Sequence, residues 1–336
     1  MRTALKVGGF ALGLAAVFGV AVGVGSVVAP ASAGASTSTP TPDGHAAMGG
    51  TEAAPGGAPS LPGGLLVSED GYTLTLAEPS VAPGAQVPLR FRILGPEGDP
   101  VSGYRTEHDK DLHLIVVRRD LAHFQHVHPD LDATGTWSVP VDLPAAGDYR
   151  VFADFTPAGH DGGLVLGADL AVPGGYQPAP LPGPADVAQL ADGYQVTLAG
   201  GLVPGRPSEL TLTVSKDGVP VTDLQPYLAA YGHLVALRAG DLAYLHVHPA
   251  GEPGDGVTPA GPGITFDATA PSAGNYRLFL NFRHAGVVRT AEFTVWAGPA
   301  QTSAPAAAGT GATSVPTAVA PPMPGHDDGE SGGHGH

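Results

Sequence analysis

Two sets of three histidines carry the chemistry this sequence can offer. His113, His126 and His128 lie thirteen and then two positions apart, and His233, His246 and His248 repeat that spacing. Residues two apart in a strand project from one face of a sheet. The segment Asp111-Leu-His-Leu-Ile-Val-Val-Arg-Arg-Asp-Leu-Ala-His-Phe-Gln-His-Val-His-Pro129 reads as a hairpin: a strand over 112–118, a turn near Arg119-Asp120, and a returning strand over 122–128. A turn centred between 119 and 120 sets His113 directly opposite His126. Cross-strand neighbours have Cβ atoms about 4.5–5.5 Å apart, so three imidazoles would converge on one patch. Three histidines with an open fourth position suit Zn²⁺, Cu²⁺ or Ni²⁺. The expectation is one three-histidine site per repeat, at His113, His126 and His128 and at His233, His246 and His248.

A structural reading competes with this one. Duplicated segments inherit histidines, and a histidine on a sheet face can simply pack and hydrogen-bond. Three neutral imidazoles crowded together nevertheless leave ring nitrogens in need of partners, which favours a metal. His160 and His284 follow the strands ending near Phe155 and Phe282 and are possible extra ligands. His123, matched by Ala243, reads as a solvated strand residue, and Glu107-His108-Asp109 as a polar loop. Met48 and Met323 each lie three residues from a histidine, a soft pairing that suits copper. No acidic residue keeps a fixed spacing from the histidines in both copies to act as a base, and there is no serine-nucleophile elbow or phosphate-binding glycine loop. An enzyme is not expected.

The elements that hold these histidines come from a repeat. Asp70-Gly-Tyr72 recurs as Asp192-Gly-Tyr194, His126-Val-His-Pro129 as His246-Val-His-Pro249, and Pro144-Ala-Ala-Gly-Asp-Tyr-Arg150 as Pro271-Ser-Ala-Gly-Asn-Tyr-Arg277. The offset drifts between copies, as it does when loops diverge after a tandem duplication. Tyr72–Leu76, Val87–Ile93, Tyr149–Phe155 and Leu210–Val214 alternate polar and apolar residues between Gly/Pro turns. This predicts an all-β fold of two tandem immunoglobulin-like β-sandwich domains, with the Gly-x-Tyr pair forming tyrosine corners. Leu224–Tyr231 is the one stretch that admits a helical turn or two.

The rest of the chain sets boundaries. Gly 50 and Pro 35 make about a quarter of 336 residues, and they cluster. Residues 1–33 carry Arg2 and Lys6, then an apolar run from Val7 to Ala29, then Ala-Ser-Ala, the pattern of a signal peptide or of an N-terminal membrane anchor through residues 7–29. Residues 34–64, 173–186 and 298–336 read as disordered Pro/Gly-rich linkers and a histidine-containing tail, leaving repeats over 65–172 and 187–297. Either form of the leader places the repeats outside the cytoplasm. Cysteine is absent, which excludes disulfides and thiolate metal sites. A formal charge of −16 argues against nucleic acid as a partner.

The hairpin Asp111-Leu-His-Leu-Ile-Val-Val-Arg-Arg-Asp-Leu followed by Phe124-Gln-His-Val-His-Pro129 resembles a widespread group of exported bacterial proteins, many from actinobacteria. Pro226–Pro249 is similar to the matching segment of that group. More loosely, the domains resemble YtkA-like and CopC-like immunoglobulin-type sandwiches, some linked to copper handling outside the cytoplasm. The chain lacks the N-terminal histidine and Met-rich loops of the CopC-like copper sites. The resemblance implies an exported metal-binding protein that takes copper or zinc. The alternative is a surface-anchored structural or interaction module whose histidines serve the fold.

Overall fold

Alternating strands and glycine-rich turns build ten strands in each repeat. A computed structural model describes residues 61–299 apart from His246, all within one compact unit. The first repeat holds β1 (Ser68–Glu69), β2 (Tyr72–Leu76), β3 (Gly84–Leu94), β4 (Tyr104–Arg105), β5 (Leu112–Arg118), β6 (Gln125–Val127), β7 (Asp130–Leu131), β8 (Trp137–Leu143), β9 (Gly147–Pro157) and β10 (Leu164–Val172). The second holds β11 (Val187–Gln189), β12 (Tyr194–Gly200), β13 (Pro207–Lys216), β14 (Val219–Pro220), β15 (Gly232–Arg238), β16 (Tyr244–Leu245), β17 (Val247–Pro249), β18 (Gly263–Thr269), β19 (Gly274–His284) and β20 (Val287–Ala297). Sheets β1-β2-β3-β8-β7 and β10-β9-β5-β6 form one sandwich, and β11-β12-β13-β18-β17 and β16-β15-β19-β20 form the other. The all-β class with two sandwiches is as the sequence predicts. Both tyrosine corners close, with Tyr149 donating to the Ala145 carbonyl (2.9 Å) and Tyr276 to the Ser272 carbonyl (2.8 Å). The only helical piece among the described residues is the 3₁₀ turn Ala191–Gly193. Leu224–Tyr231 is not helical; Leu228 and Ala229 take positive φ and form a two-residue turn between Tyr227 and Ala230.

Each sandwich has its own core, and a third cluster joins them. Leu114, Val116 and Val151 face Phe91, Ile93 and Trp137 in the first repeat, and Leu234, Ala236 and Leu278 face Leu212, Val214 and Phe266 in the second. Ile115, Val117 and Phe152 point the other way and pack on Val235, Leu237 and Phe279. The β5 and β15 sheets therefore lie against each other, so both faces of these strands are buried. Phe124 stacks on Phe279 with centroids 3.9 Å apart, and Tyr244 packs on Phe152 at 5.8 Å, each ring reaching into the other repeat. Burying the eight apolar side chains of this layer makes the contact part of the fold, at roughly 1.5–3 kcal/mol for each fully buried side chain.

The termini of the described region also take part. The predicted linker boundary at 64 falls inside a pinned strap: Gly64 N–H donates to Val165 O, Gly167 N–H to Leu66 O, and Tyr244 N–H to Gly63 O. The linker over 173–186 holds no strand or helix, yet Arg118 donates to the Gln177 carbonyl and Ala179 N–H donates to Asp120. Residues 1–33, expected to form a signal peptide or anchor, and most of residues 34–64 lie outside the described residues, as do His45, Met48 and the segment from 300 with Met323 and its histidines. Among the described residues no helix is long and apolar enough to cross a membrane.

Candidate metal centre

The hairpin holding the first histidines forms with a different register from the one read above. β5 pairs with β6 as Leu114↔Val127, Ile115↔His126 and Val116↔Gln125, so His126 lies across from Ile115 and not from His113. The shift arises in the turn. Arg118 N–H closes on the Ala122 carbonyl, and His123, at φ 57, adds a bulge residue before Phe124. A shift of two keeps every side chain on its face, because the side-chain period along a strand is two. His113, Ile115 and His126 therefore share the face turned toward the second repeat. His123 is exposed, as expected, but as a bulge residue outside any strand. The second hairpin has no such bulge. It spends its extra residue on Gly240 (φ 106) inside the turn, and Ala236↔Leu245 and Leu237↔Tyr244 recover the same register.

The first triad assembles. His113 Nδ1 lies 3.1 Å from His126 Nε2 and 3.1 Å from His128 Nε2, and the three ligand nitrogens all lie within 4.8 Å of one another. What the other ring nitrogens do decides the chemistry. His113 Nε2 faces the Glu107 carbonyl at 3.1 Å, an acceptor only, so that nitrogen carries the proton and Nδ1 is a lone pair. His126 Nδ1 faces Asn281 Oδ1 at 3.2 Å, and the Asn281 amide is oriented by its own donation from Nδ2 to Thr290 Oγ1 (2.8 Å). His126 Nε2 is then a lone pair as well. Two lone pairs face each other at 3.1 Å with no proton to share, an arrangement a cation relieves. In a tetrahedral site with metal–nitrogen bonds of about 2.0–2.1 Å, ligand nitrogens stand about 3.3 Å apart.

Burial keeps the rings neutral. It lowers the pKa of His113, and it pushes His126 well below the ordinary range, helped by His113, His128 and His233. His128 is pushed down to about 3 by burial and then by His113. Neutral imidazole is the ligating form. A cavity of about 120 Å³ lined by Glu107, His108, Lys110, Asp154 and Tyr244 abuts His113 and gives the centre an approach.

His233, from the second repeat, lies beside the first triad. Its ring centroid lies 6.2 Å from His113 and 6.1 Å from His126, and it is 8% exposed. It donates Nε2–H to the Tyr227 carbonyl at 2.8 Å, the same relation, six residues back, that His113 has with Glu107. Burial pushes its pKa down to about 4. His108 comes within 5.4 Å of His233, centroid to centroid, so this loop residue belongs to the cluster. His246 lies outside the described residues; of His248 only the backbone is described, in β17.

The two extra candidates serve the fold. His160 Nδ1 is bonded to the Gly162 carbonyl, its Nε2 is 3.5 Å from Asp70, and its ring packs on Tyr72. His284 accepts from Tyr194 OH (2.7 Å) and donates to Asp223 (3.0 Å). Each therefore ties the end of a long strand to the tyrosine of the Asp-Gly-Tyr motif, with both nitrogens engaged, and neither joins the triad. Sequence reasoning missed Asn281, 155 positions from His126, and gave His108 no role. One signal was present: Leu114–Val117 and Leu234–Leu237 are unbroken apolar runs, the mark of strands covered on both faces.

Two immunoglobulin-like sandwiches joined face to face, with a histidine cluster at the join, define the class of protein. The chain belongs to the family described as Domain of unknown function (DUF8832), whose model matches residues 67–163 and again 188–298. No curated protein matches the sequence. Similar solved structures include FdeC, an Escherichia coli adhesin (15% identity, 68% of this chain and 65% of that one, TM-score 0.22). The Yersinia pseudotuberculosis adhesin InvE (14%, 67% and 58%, 0.21) and the D0-D1 domain of intimin (10%, 66% and 96%, 0.19) are others. The chain spans about two thirds or less of the length of the first two.

Proposed function

We propose that the protein is a non-enzymatic, extracytoplasmic metal-binding protein that holds a copper- or zinc-type ion on His113, His126 and His128, for sequestration or handling. The observation that carries this is the facing pair of nitrogens, His113 Nδ1 and His126 Nε2, each without a proton of its own because its ring's N–H is given to an acceptor behind it, with His128 Nε2 beside them. Orientation of ligating histidines by acceptors behind them is the usual construction of a metal site. His233, with His246 and His248 by their spacing, is the second repeat's contribution. Extracytoplasmic placement rests on the leader, whose apolar run Val7–Ala29 offers possible membrane attachment; nucleic acid is not a partner on charge grounds.

Titration of the full chain with Cu²⁺ or Zn²⁺, beside a His126→Ala/His128→Ala variant, tests the reading. The wild type takes up one ion tightly and the variant does not; equal uptake overturns it. An ion at a hundredfold excess over Kd adds about 2.7 kcal/mol to the folded state, so the melting temperature rises with metal and falls on EDTA treatment.

A second reading, a surface interaction module whose histidines fasten the repeats, is favoured by one observation: the His126–Asn281 bond crosses from one sandwich to the other. It expects no thermal shift with either metal and a lower melting temperature for the double alanine variant in metal-free buffer.

A further inference from the structure

The Asn281 amide does not touch the triad's open side; it stands behind His126, on β19 of the other repeat. It is 6% exposed, lies across from His233 in the β15–β19 register and across from Thr290 in the β19–β20 register. Thr290 Oγ1 accepts its Nδ2–H at 2.8 Å, which turns Oδ1 toward His126 Nδ1. Without that acceptor, His126 is free to carry its proton on Nε2, the nitrogen facing His113, and a proton there blocks a ligand position.

We propose that Asn281 is a positioning residue for the metal centre: the second sandwich sets the tautomer of a ligand borne by the first. The inference rests on the reading of the triad as a metal site, but its first consequence is visible without metal. The centre is then a property of the two repeats together. The corresponding residue of the first repeat is Asp154, across from His113, and it is engaged differently: Tyr244 OH donates to its Oδ2 at 3.1 Å and Val165 stands where Thr290 does. The apolar Val165 offers no hydroxyl to orient an amide, and a carboxylate needs none.

The test uses the full chain in two parts. In metal-free protein, nitrogen chemical shifts of the His126 ring report its tautomer. The wild type carries the proton on Nδ1; Asn281→Leu shifts His126 toward the Nε2–H form, whereas Asn281→Asp keeps an acceptor and the wild-type tautomer. In titrations with Zn²⁺, Asn281→Leu weakens affinity about 10–100-fold, the range seen when groups behind metal ligands are removed. Asn281→Asp stays within about threefold of wild type on the same ground. Thr290→Val, which frees the amide to turn without emptying the site, falls between them and covers the case in which Asn281→Leu does not fold. Failure of the wild type to bind Zn²⁺ or Cu²⁺ defeats the metal reading and leaves the tautomer result standing. Binding by the wild type with an unchanged tautomer and affinity in Asn281→Leu defeats the positioning role, as does equal loss in the Leu and Asp variants.

Discussion

The two repeats treat the same buried arginine in opposite ways. Arg150 and Arg277 close the same motif and occupy the same place on β9 and β19. Arg150 donates to the Gly64 and Leu65 carbonyls of the strap and to Asp169. The strap can come this close because Gly167, across from Phe152, has no side chain; a Cβ there would stand 2.2 Å from Gly64 O. In the second repeat the position across from Phe279 is Glu292, whose carboxylate takes the place of the strap and pairs with Arg277. Thr294 accepts a further bond where Asp169 stands in the first copy, and Arg277 Nε is left buried without a partner. One copy thus satisfies its arginine with backbone carbonyls of the strap alongside Asp169, the other with side chains of its own sheet alone. The divergence falls on the outer strands β10 and β20, at Gly167 against Glu292 and Asp169 against Thr294, while the hairpins of β5 and β15 keep the same register.

Substitutions can break that comparison. The largest effect belongs to the layer common to both repeats. Phe279→Ala removes a buried ring and its stack on Phe124, and costs about 3–5 kcal/mol in chemical denaturation. A loss under about 1 kcal/mol would mean that the sandwiches do not rely on this contact.

The arginines separate next. Arg150→Met strips donors from Gly64 O, Leu65 O and Asp169 and costs about 2–4 kcal/mol, since breaking one side of a buried polar cluster leaves the rest unpaired. Arg277→Met removes an unpaired Nε along with the pair to a half-exposed Glu292, and stays within about 1 kcal/mol of wild type. Equal urea midpoints for the two variants would overturn the distinction.

The smallest effect lies in the turns that deliver the carbonyls to His113 and His233. Both are two-residue turns with positive φ at non-glycine residues, His108 and Asp109 in one and Leu228 and Ala229 in the other. Ala229→Gly relieves the left-handed strain at some entropic cost and stabilises by about 0.5 kcal/mol. The same change at Asp109, a residue type that tolerates the left-handed region, gains less. Thermal melts of the two glycine variants check whether the turns are interchangeable.

Much of the fold was open to reading in the residue order. Alternation in Tyr72–Leu76 and Leu210–Val214, the Gly-x-Tyr pairs and the duplicated His-x-His-Pro segments mark strands, corners and repeats through local pattern. The hairpin register was less legible, because it depends on whether the surplus residue is a bulge at His123 or part of the turn at Gly240. Both sequences look alike before they fold. His160 and His284 illustrate the converse: following the strands that pair with β5 and β15, they are drawn to Tyr72 and Tyr194 and away from the triad.

The sequence by itself determined that histidines two positions apart, as at His126 and His128, project to the same side of an extended chain, because side-chain direction in a strand alternates with position. Only the tertiary structure decided that the faces bearing His113 and His233 turn toward each other, and that Asn281 stands behind His126. Those outcomes depend on packing the outer faces of β5 and β15 together. Apolar burial drives that packing without direction, so its pairing is settled by how Phe124, Phe152, Tyr244 and Phe279 fit and not by any local pattern.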